Sequence, residues 1–379
     1  VLNGLRKSFA FRITLVQFFF ILACAFFSFY SLTNWDGEWY RQLVDIGYST
    51  IHSADRFAEG KGNVGFFPGY PLLSFIVKKV LGFGTDAFPT TGALLITSNV
   101  CALFTWVLLE KWLNLFRTSQ PRIKMVMLAL FPFAMFLYVA YTESLFAVAT
   151  LGFFYFSEKF NREDDQRKSR RDLFLAALFG FMMNLTRLLG IVLVVYPLIR
   201  AFQTGEKKKR AFFIAAGSLT SPILFFIYCQ IKFGAWDLYF QTERAIWGTY
   251  IDFHKLFPPK TLFDFSRPFH PNTLCRYVTI ITGVGLTYKL AKLIKEKAWS
   301  SPDLAVVLCS GMMWGEYLLG RTTWDYAGMG RMLLPVFMIM LPFIKIEPKR
   351  NWRWIVFASV MLGFQIAYAL RFGRHGWVA

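Results

Sequence analysis

Long apolar runs recur along this chain, set apart by short clusters of lysine and arginine, and this alternation restricts the folds open to it more than any single residue does. Of 379 residues, 55% are hydrophobic and 19% aromatic, more apolar surface than one soluble core of this length can hide. Lipid accepts helices that are apolar all round. Runs at 9–32, 88–110, 123–140, 142–157, 172–185, 187–202, 211–231, 274–293, 303–320, 332–344 and 352–370 predict eleven crossings in an all-α polytopic membrane protein, a single integral membrane domain over 1–379. The first run is long and strongly aromatic and lacks a small-residue cleavage site, so it reads as an anchor helix and not as a removed signal.

A net charge of +19 on a soluble face would point to nucleic acid. Here the cations gather between apolar runs, which fits a positive-inside pattern and contact with anionic membrane lipids, and excludes nucleic acid as partner. Arg6, Lys7 and Arg12 put the N-terminus in the cytosol, together with the clusters at 111–124, 158–171, 205–210, 289–297 and 345–353. The alternation holds if 66–81, broken by Pro68 and Pro71 and ending in Lys78 and Lys79, is a re-entrant or interfacial helix that does not cross. Cys24, Cys101, Cys229, Cys275 and Cys309 lie in or beside apolar runs without metal-ligand spacing and read as small buried hydrophobes.

This topology collects the chemically interesting residues on the extracytoplasmic side, in a first loop at 34–87, a second at 232–273, and the turns between short runs. Asp36, in NWDGEWYRQLVDIGYS, is the first candidate for a general base, since a carboxylate just outside the bilayer is available for proton transfer. Capping the helix that follows is its plainer role. Glu143, between two apolar runs, is costly unless hydrated, paired or used. It can orient an acceptor, hold Arg187, or support a divalent cation with Asp36. Beyond that cation no cofactor is called for, and no glycine-rich phosphate loop is present.

Arg187 in MMNLTRLLG, and Arg321 and Arg331 in GRTTWDYAGMGRMLLP, have the planar donor fork that suits a phosphate, with Asp325 as a partner for either of the latter two. Snorkelling, or pairing with Glu143, is the plainer account of Arg187. Trp35, Trp39, Tyr40, Asp45, His52, Tyr141, Gln241 and Trp247 are candidate sugar or acceptor contacts. An aromatic belt explains the tryptophans as well, Asp45 can stabilise its helix, and an interfacial helix accounts for the group from Gln241 to Trp247.

The runs WDGEWYRQLVDIGY, GFFPGYPLL, AYTESLF, NLTRLLG and GRMLLPVFMIMLPF resemble, in order and spacing, the PIG-V family of GPI mannosyltransferase II and its prokaryotic relatives, within the GT-C glycosyltransferase superfamily. The resemblance covers residues 34 to about 344. It implies a GT-C-like bundle with juxtamembrane helices in the first outer loop, in which Asp36 is the motif aspartate and Glu143 and Arg187 match the motif glutamate and arginine. It also implies an inverting glycosyltransferase, most simply a mannosyltransferase. The donor is a polyprenyl-phosphate sugar and the acceptor a hydroxyl on a glycolipid, glycan or protein. The compact loops suit a prokaryotic plasma membrane. A GT-C transferase for a different sugar is the alternative within this class; outside it stand a lipid or sugar transporter or flippase, which inverted repeats would mark, and a noncatalytic membrane subunit.

Overall fold

A computed structural model describes residues 8–25, 28–49, 62–85, 87–251, 260–263, 266–267, 270–321, 328–345, 351–376 and 378. These hold fifteen α-helices: α1 (Phe9–Cys24), α2 (Asp36–Ile46), α3 (Gly69–Leu81), α4 (Thr90–Leu115), α5 (Pro121–Ala129), α6 (Glu143–Arg162), α7 (Gln166–Thr186), α8 (Tyr196–Thr204), α9 (Lys208–Phe233), α10 (Leu238–Trp247), α11 (Pro271–Lys295), α12 (Pro302–Leu319), α13 (Met329–Met332), α14 (Leu334–Met340) and α15 (Asn351–Gly373). One two-residue antiparallel ladder, β1 (Tyr250–Ile251) with β2 (Gly320–Arg321), completes the described structure.

Apart from that ladder, the regular structure of the described residues is helical, as in a helical membrane protein. Within α4, α9, α11 and α15 lie stretches long and apolar enough to cross a bilayer. Their outward faces are greasy: Phe212, Phe213, Ile223, Leu224 and Ile231 on α9, and Ile355, Val356 and Val360 on α15, are exposed. Helical segments occur in every other expected run, but several of these are broken. The expected helix at 123–140 stops at Ala129 and resumes as a 3-10 turn at Pro132–Leu137, because Pro132 brings no N–H and holds Phe131 extended. The run 187–202 is a 3-10 segment, Leu188–Val195, followed by α8; 332–344 is cut into α13, α14 and a short 3-10 turn. The segment 66–81 forms α3, whose 13 residues reach about 20 Å, short of the roughly 30 Å of hydrocarbon.

Described contacts group the chain into two compact units. The first comprises 1–45, 70–151 and 337–378. In it α1 packs on α4 and α15, and α15 packs on the 3-10 turn 132–137. Trp106 and Trp112 are fully enclosed, and their indole N–H groups donate to the Tyr138 hydroxyl at 2.7 Å and the Ile339 carbonyl at 3.0 Å. Lys124 is buried with its ammonium on the Leu341 and Ile344 carbonyls, which closes the frayed end of the 341–343 turn.

The second unit comprises 46–69 and 152–336. Its spine is the pair α7 and α9, which run parallel: Gly180 leaves no room for a Cβ beside Ser218, the Asn184 amide donates to the Ser218 carbonyl, and the Ser221 hydroxyl donates to the Phe181 carbonyl. Small residues here let the two backbones approach closely. The described ends of the first loop, Tyr48 and Val64 to Phe67, pack with Phe225, Cys229, Leu238 and Tyr239 of α9 and α10.

Candidate active site

Asp36 opens α2, and its surroundings follow from four consecutive residues. Trp35 takes a left-handed backbone, φ +57°, a conformation that costs a bulky residue about 1–2 kcal/mol. The reversal turns the chain sharply enough that the N–H groups of Gly37 and Glu38 close onto the carbonyls of Asn34 and Trp35, at 3.2 and 2.9 Å. The Asp36 N–H donates to the Tyr141 hydroxyl, 3.3 Å away. Gly37 sits in close approach: a Cβ there would lie 3.3 Å from the Thr33 Cβ and 3.4 Å from the Ala140 carbonyl oxygen. Asn34, 2% exposed, donates its amide to the Phe372 carbonyl at 2.8 Å. Asp36 itself is partly exposed.

Ala140 and Tyr141 lie on the other side of this turn. The Ala140 N–H bonds the Leu32 carbonyl at 2.9 Å, joining the two strands of chain before Asp36 and Tyr141 come together. The Tyr141 ring is enclosed between Phe136 and Phe372, with ring centroids 5.2 and 5.9 Å away. Glu143 is the first residue of α6 and only 3% exposed, so its carboxylate lies at the positive end of that helix. Tyr70 of α3 is its neighbour in electrostatic terms. Burial pushes the Tyr70 hydroxyl well above its ordinary pKa, the Glu143 carboxylate is among the groups that add to the shift, and the phenol bonds Ser98 and the Leu94 carbonyl. Tyr40 meets Tyr70 edge to face at 5.0 Å.

The structure thus brings Asp36, Tyr40, Tyr141 and Glu143 into one unit with Trp35, which is 40% exposed, and the partly exposed Trp39. Asp45, at the far end of α2, is engaged by Lys78 at 2.9 Å and by the Thr90 hydroxyl, a junction of α2, α3 and α4. Arg187 and Arg331 belong to the second unit. Arg187 joins α7 to the 3-10 segment with an extended backbone and is partly exposed; Arg331 is buried in α13. Arg321 pairs through its backbone in β2 with Tyr250. Gln241 bonds Asp237 within the α10 region at 3.0 Å, and Trp247 ends that helix. His52 and Asp325 lie outside the described residues. Among the described residues no group of three or more His, Cys, Asp or Glu is placed to hold a metal ion.

Sequence reasoning did not find Asn34, Gly37 or the Asp36-to-Tyr141 bond. The signal was present only in part: the glycine after the aspartate marks close backbone approach, but Tyr141 is 105 residues from Asp36 and Phe372 is 338 from Asn34.

No family model and no curated protein matches this chain. Among solved structures it is similar to the oligosaccharyltransferase of Archaeoglobus fulgidus in the apo form, with a TM-score of 0.52 and 11% identity over 97% of this chain and 56% of that one. The same enzyme tethered with an acceptor peptide containing the NVT sequon gives 0.51 and 11% over 100% and 56%. The archaeal oligosaccharyltransferase AglB in complex with an inhibitory peptide and a dolichol-phosphate gives 0.50 and 10% over 96% and 56%. The chain spans about half the length of these structures. At such low identity the likeness bears on fold, and it agrees with a GT-C-like helical membrane architecture.

Proposed function

We propose that the chain is an inverting glycosyltransferase that moves a sugar, most simply mannose, from a polyprenyl-phosphate donor to an acceptor hydroxyl on the extracytoplasmic face of the membrane. The observation that carries the reading is the Asp36 turn: a partly exposed aspartate at the head of a helix, on a backbone fixed by three neighbouring contacts. The PIG-V-like motif series centres on the same aspartate. The fold shared with oligosaccharyltransferases, one of them seen with a dolichol-phosphate, supports a lipid-linked donor.

In the reaction, Asp36 accepts the acceptor hydroxyl proton as that oxygen bonds to the anomeric carbon. The bond from that carbon to the phosphate oxygen breaks on the opposite face, and polyprenyl phosphate leaves. A β-linked donor gives an α-linked product. Trp35 and Trp39 offer faces for the sugar. The phosphate is assigned to Arg187, Arg321 and Arg331 on the chemistry of the guanidinium fork, which meets a phosphate through two parallel N–H donors. Glu143 orients the acceptor.

The test is transfer of radiolabel from polyprenyl-phosphate mannose into the lipid, glycan and protein fractions of membranes carrying wild-type chain or Asp36→Asn at equal protein level. Label that appears with wild type and is lost with the variant supports donor, base and acceptor class together. Wild type active only with another lipid-linked sugar would replace mannose, undiminished transfer by the variant would remove Asp36 as base, and passage of the lipid without transfer would favour a flippase.

A further inference from the structure

The backbone that carries Asp36 is held from three directions by residues remote in sequence, and the last of them lies near the end of α15. Asn34 donates to the Phe372 carbonyl, Gly37 sits against Ala140, and the Tyr141 hydroxyl receives the Asp36 N–H. These contacts are linked to one another. The Tyr141 ring packs edge-on against Phe372, the residue whose carbonyl takes Asn34, and Gly373 is pressed so close to Ala25 that a Cβ there would come within 2.9 Å of the Ala25 Cα. The end of α15 therefore grips both the chain leaving α1 and the turn that starts α2.

Trp35 shows why such a grip is needed. Its left-handed backbone is unfavourable for a bulky side chain, so the turn persists only where the surrounding structure holds it. An unsupported turn would relax toward an ordinary helix start, and the Asp36 carboxylate would swing with it.

We infer that Tyr141 and Asn34 are positioning residues for Asp36, a clasp whose anchor is the Phe372–Gly373 end of α15. The inference rests on the glycosyltransferase reading for the role of Asp36, but the clasp has its own readout. Tyr141 acts here through its hydroxyl on the main chain of Asp36; its ring is closed off by Phe136 and Phe372 and offers no face to a sugar.

The experiment compares wild type, Tyr141→Phe and Asn34→Ala by amide hydrogen exchange of the peptide spanning Asn34 to Glu38 and by initial-rate kinetics in membranes. Tyr141→Phe keeps the ring and removes only the acceptor oxygen, so the fold is retained. Losing one hydrogen bond predicts exchange at Asp36 faster by about three- to ten-fold with α4 and α6 unchanged, and a displaced carboxylate predicts kcat lower by about ten- to a hundred-fold at constant donor KM. Asn34→Ala gives the same signature. Unchanged exchange at Asp36 overturns the clasp whatever the activity. Faster exchange with kcat intact overturns the positioning role, and a raised KM at constant kcat makes Tyr141 a substrate contact instead. If wild type transfers no sugar, the catalytic reading fails while exchange still decides the clasp.

Discussion

Asp36 of the first unit and Glu158 of the second are both carboxylates among apolar helices, and the protein treats them in opposite ways. Glu158 on α6 is fully buried and its acceptor sites are taken: Oε1 by Arg162 at 2.8 Å and Arg200 at 3.1 Å, Oε2 by Arg200 at 2.8 Å and the Tyr196 hydroxyl at 2.9 Å. Arg200 has further bonds to Gln203 and the Ser300 carbonyl, so the network joins α6, α8 and the approach to α12. Asp36 is partly exposed at the head of α2, and the contacts that fix its turn include a bond from its own main-chain N–H. Saturation by cations makes a carboxylate scaffold. Partial exposure on a fixed backbone is what proton transfer asks of the other.

The sharpest way to break this contrast is to neutralise each carboxylate in turn. Asp36→Asn should lower transfer about 10²- to 10⁴-fold, the usual contribution of a general base, with the midpoint of thermal unfolding in detergent unchanged. Glu158→Gln should do the reverse. Removing the negative charge leaves buried Arg200 uncompensated, at a cost of about 3–5 kcal/mol, read as a large drop in thermal midpoint, while turnover per folded molecule stays near wild type. If Glu158→Gln abolished turnover in folded protein, the division between scaffold and chemistry would be wrong.

A smaller effect is expected at Asp45, which stands between the two cases. Its Lys78 partner is largely enclosed, but Asp45 is 40% exposed, so solvent screens the pair and Asp45→Ala should cost about 1 kcal/mol. Because Asp45 ties the end of α2 to α3 and α4, turnover should fall modestly along with stability. Loss of transfer as deep as that of Asp36→Asn, in folded protein, would show that Asp45 touches the reacting groups.

Reading the chain in one dimension recovers much of this and misses a definable part. The helix that begins at Asp36 and the short helix that follows Pro68 were legible because each rests on local chemistry. The interruptions after Ala129 and before Tyr196 lie beside Pro132 and Pro197 and follow the same logic, although apolar content alone suggests continuous helices. Pairings such as Asp45 with Lys78, Tyr141 with Asp36, and Asn34 with Phe372 depend on which helices become neighbours, which no local pattern specifies. The charged stretch QRKSRR lies before the expected run 172–185, yet it is the first turns of α7, since Arg, Lys and Gln are good helix formers once something caps the end.

That cap is Asp165, a third kind of carboxylate: exposed, and engaged by the local backbone and the neighbouring Lys168. Its side chain accepts the N–H groups of Arg167 and Lys168 at 2.8 and 3.2 Å. The Lys168 and then the Arg167 N–H, aided by the Lys168 charge, hold the Asp165 pKa below its ordinary value. A depressed pKa in the folded state means that the carboxylate stabilises the fold above its unfolded pKa of about 3.9 and that this contribution fades as pH falls through the lower, folded value. Asp165→Ala should therefore give the smallest of these losses in thermal midpoint at neutral pH, with transfer unchanged, and the gap to wild type should narrow as the medium is acidified below about pH 4. A gap that held constant from neutral to strongly acidic pH would show that the cap works without its charge, and a loss of transfer would place chemistry at an end of the chain's helices where only α7 depends on this aspartate.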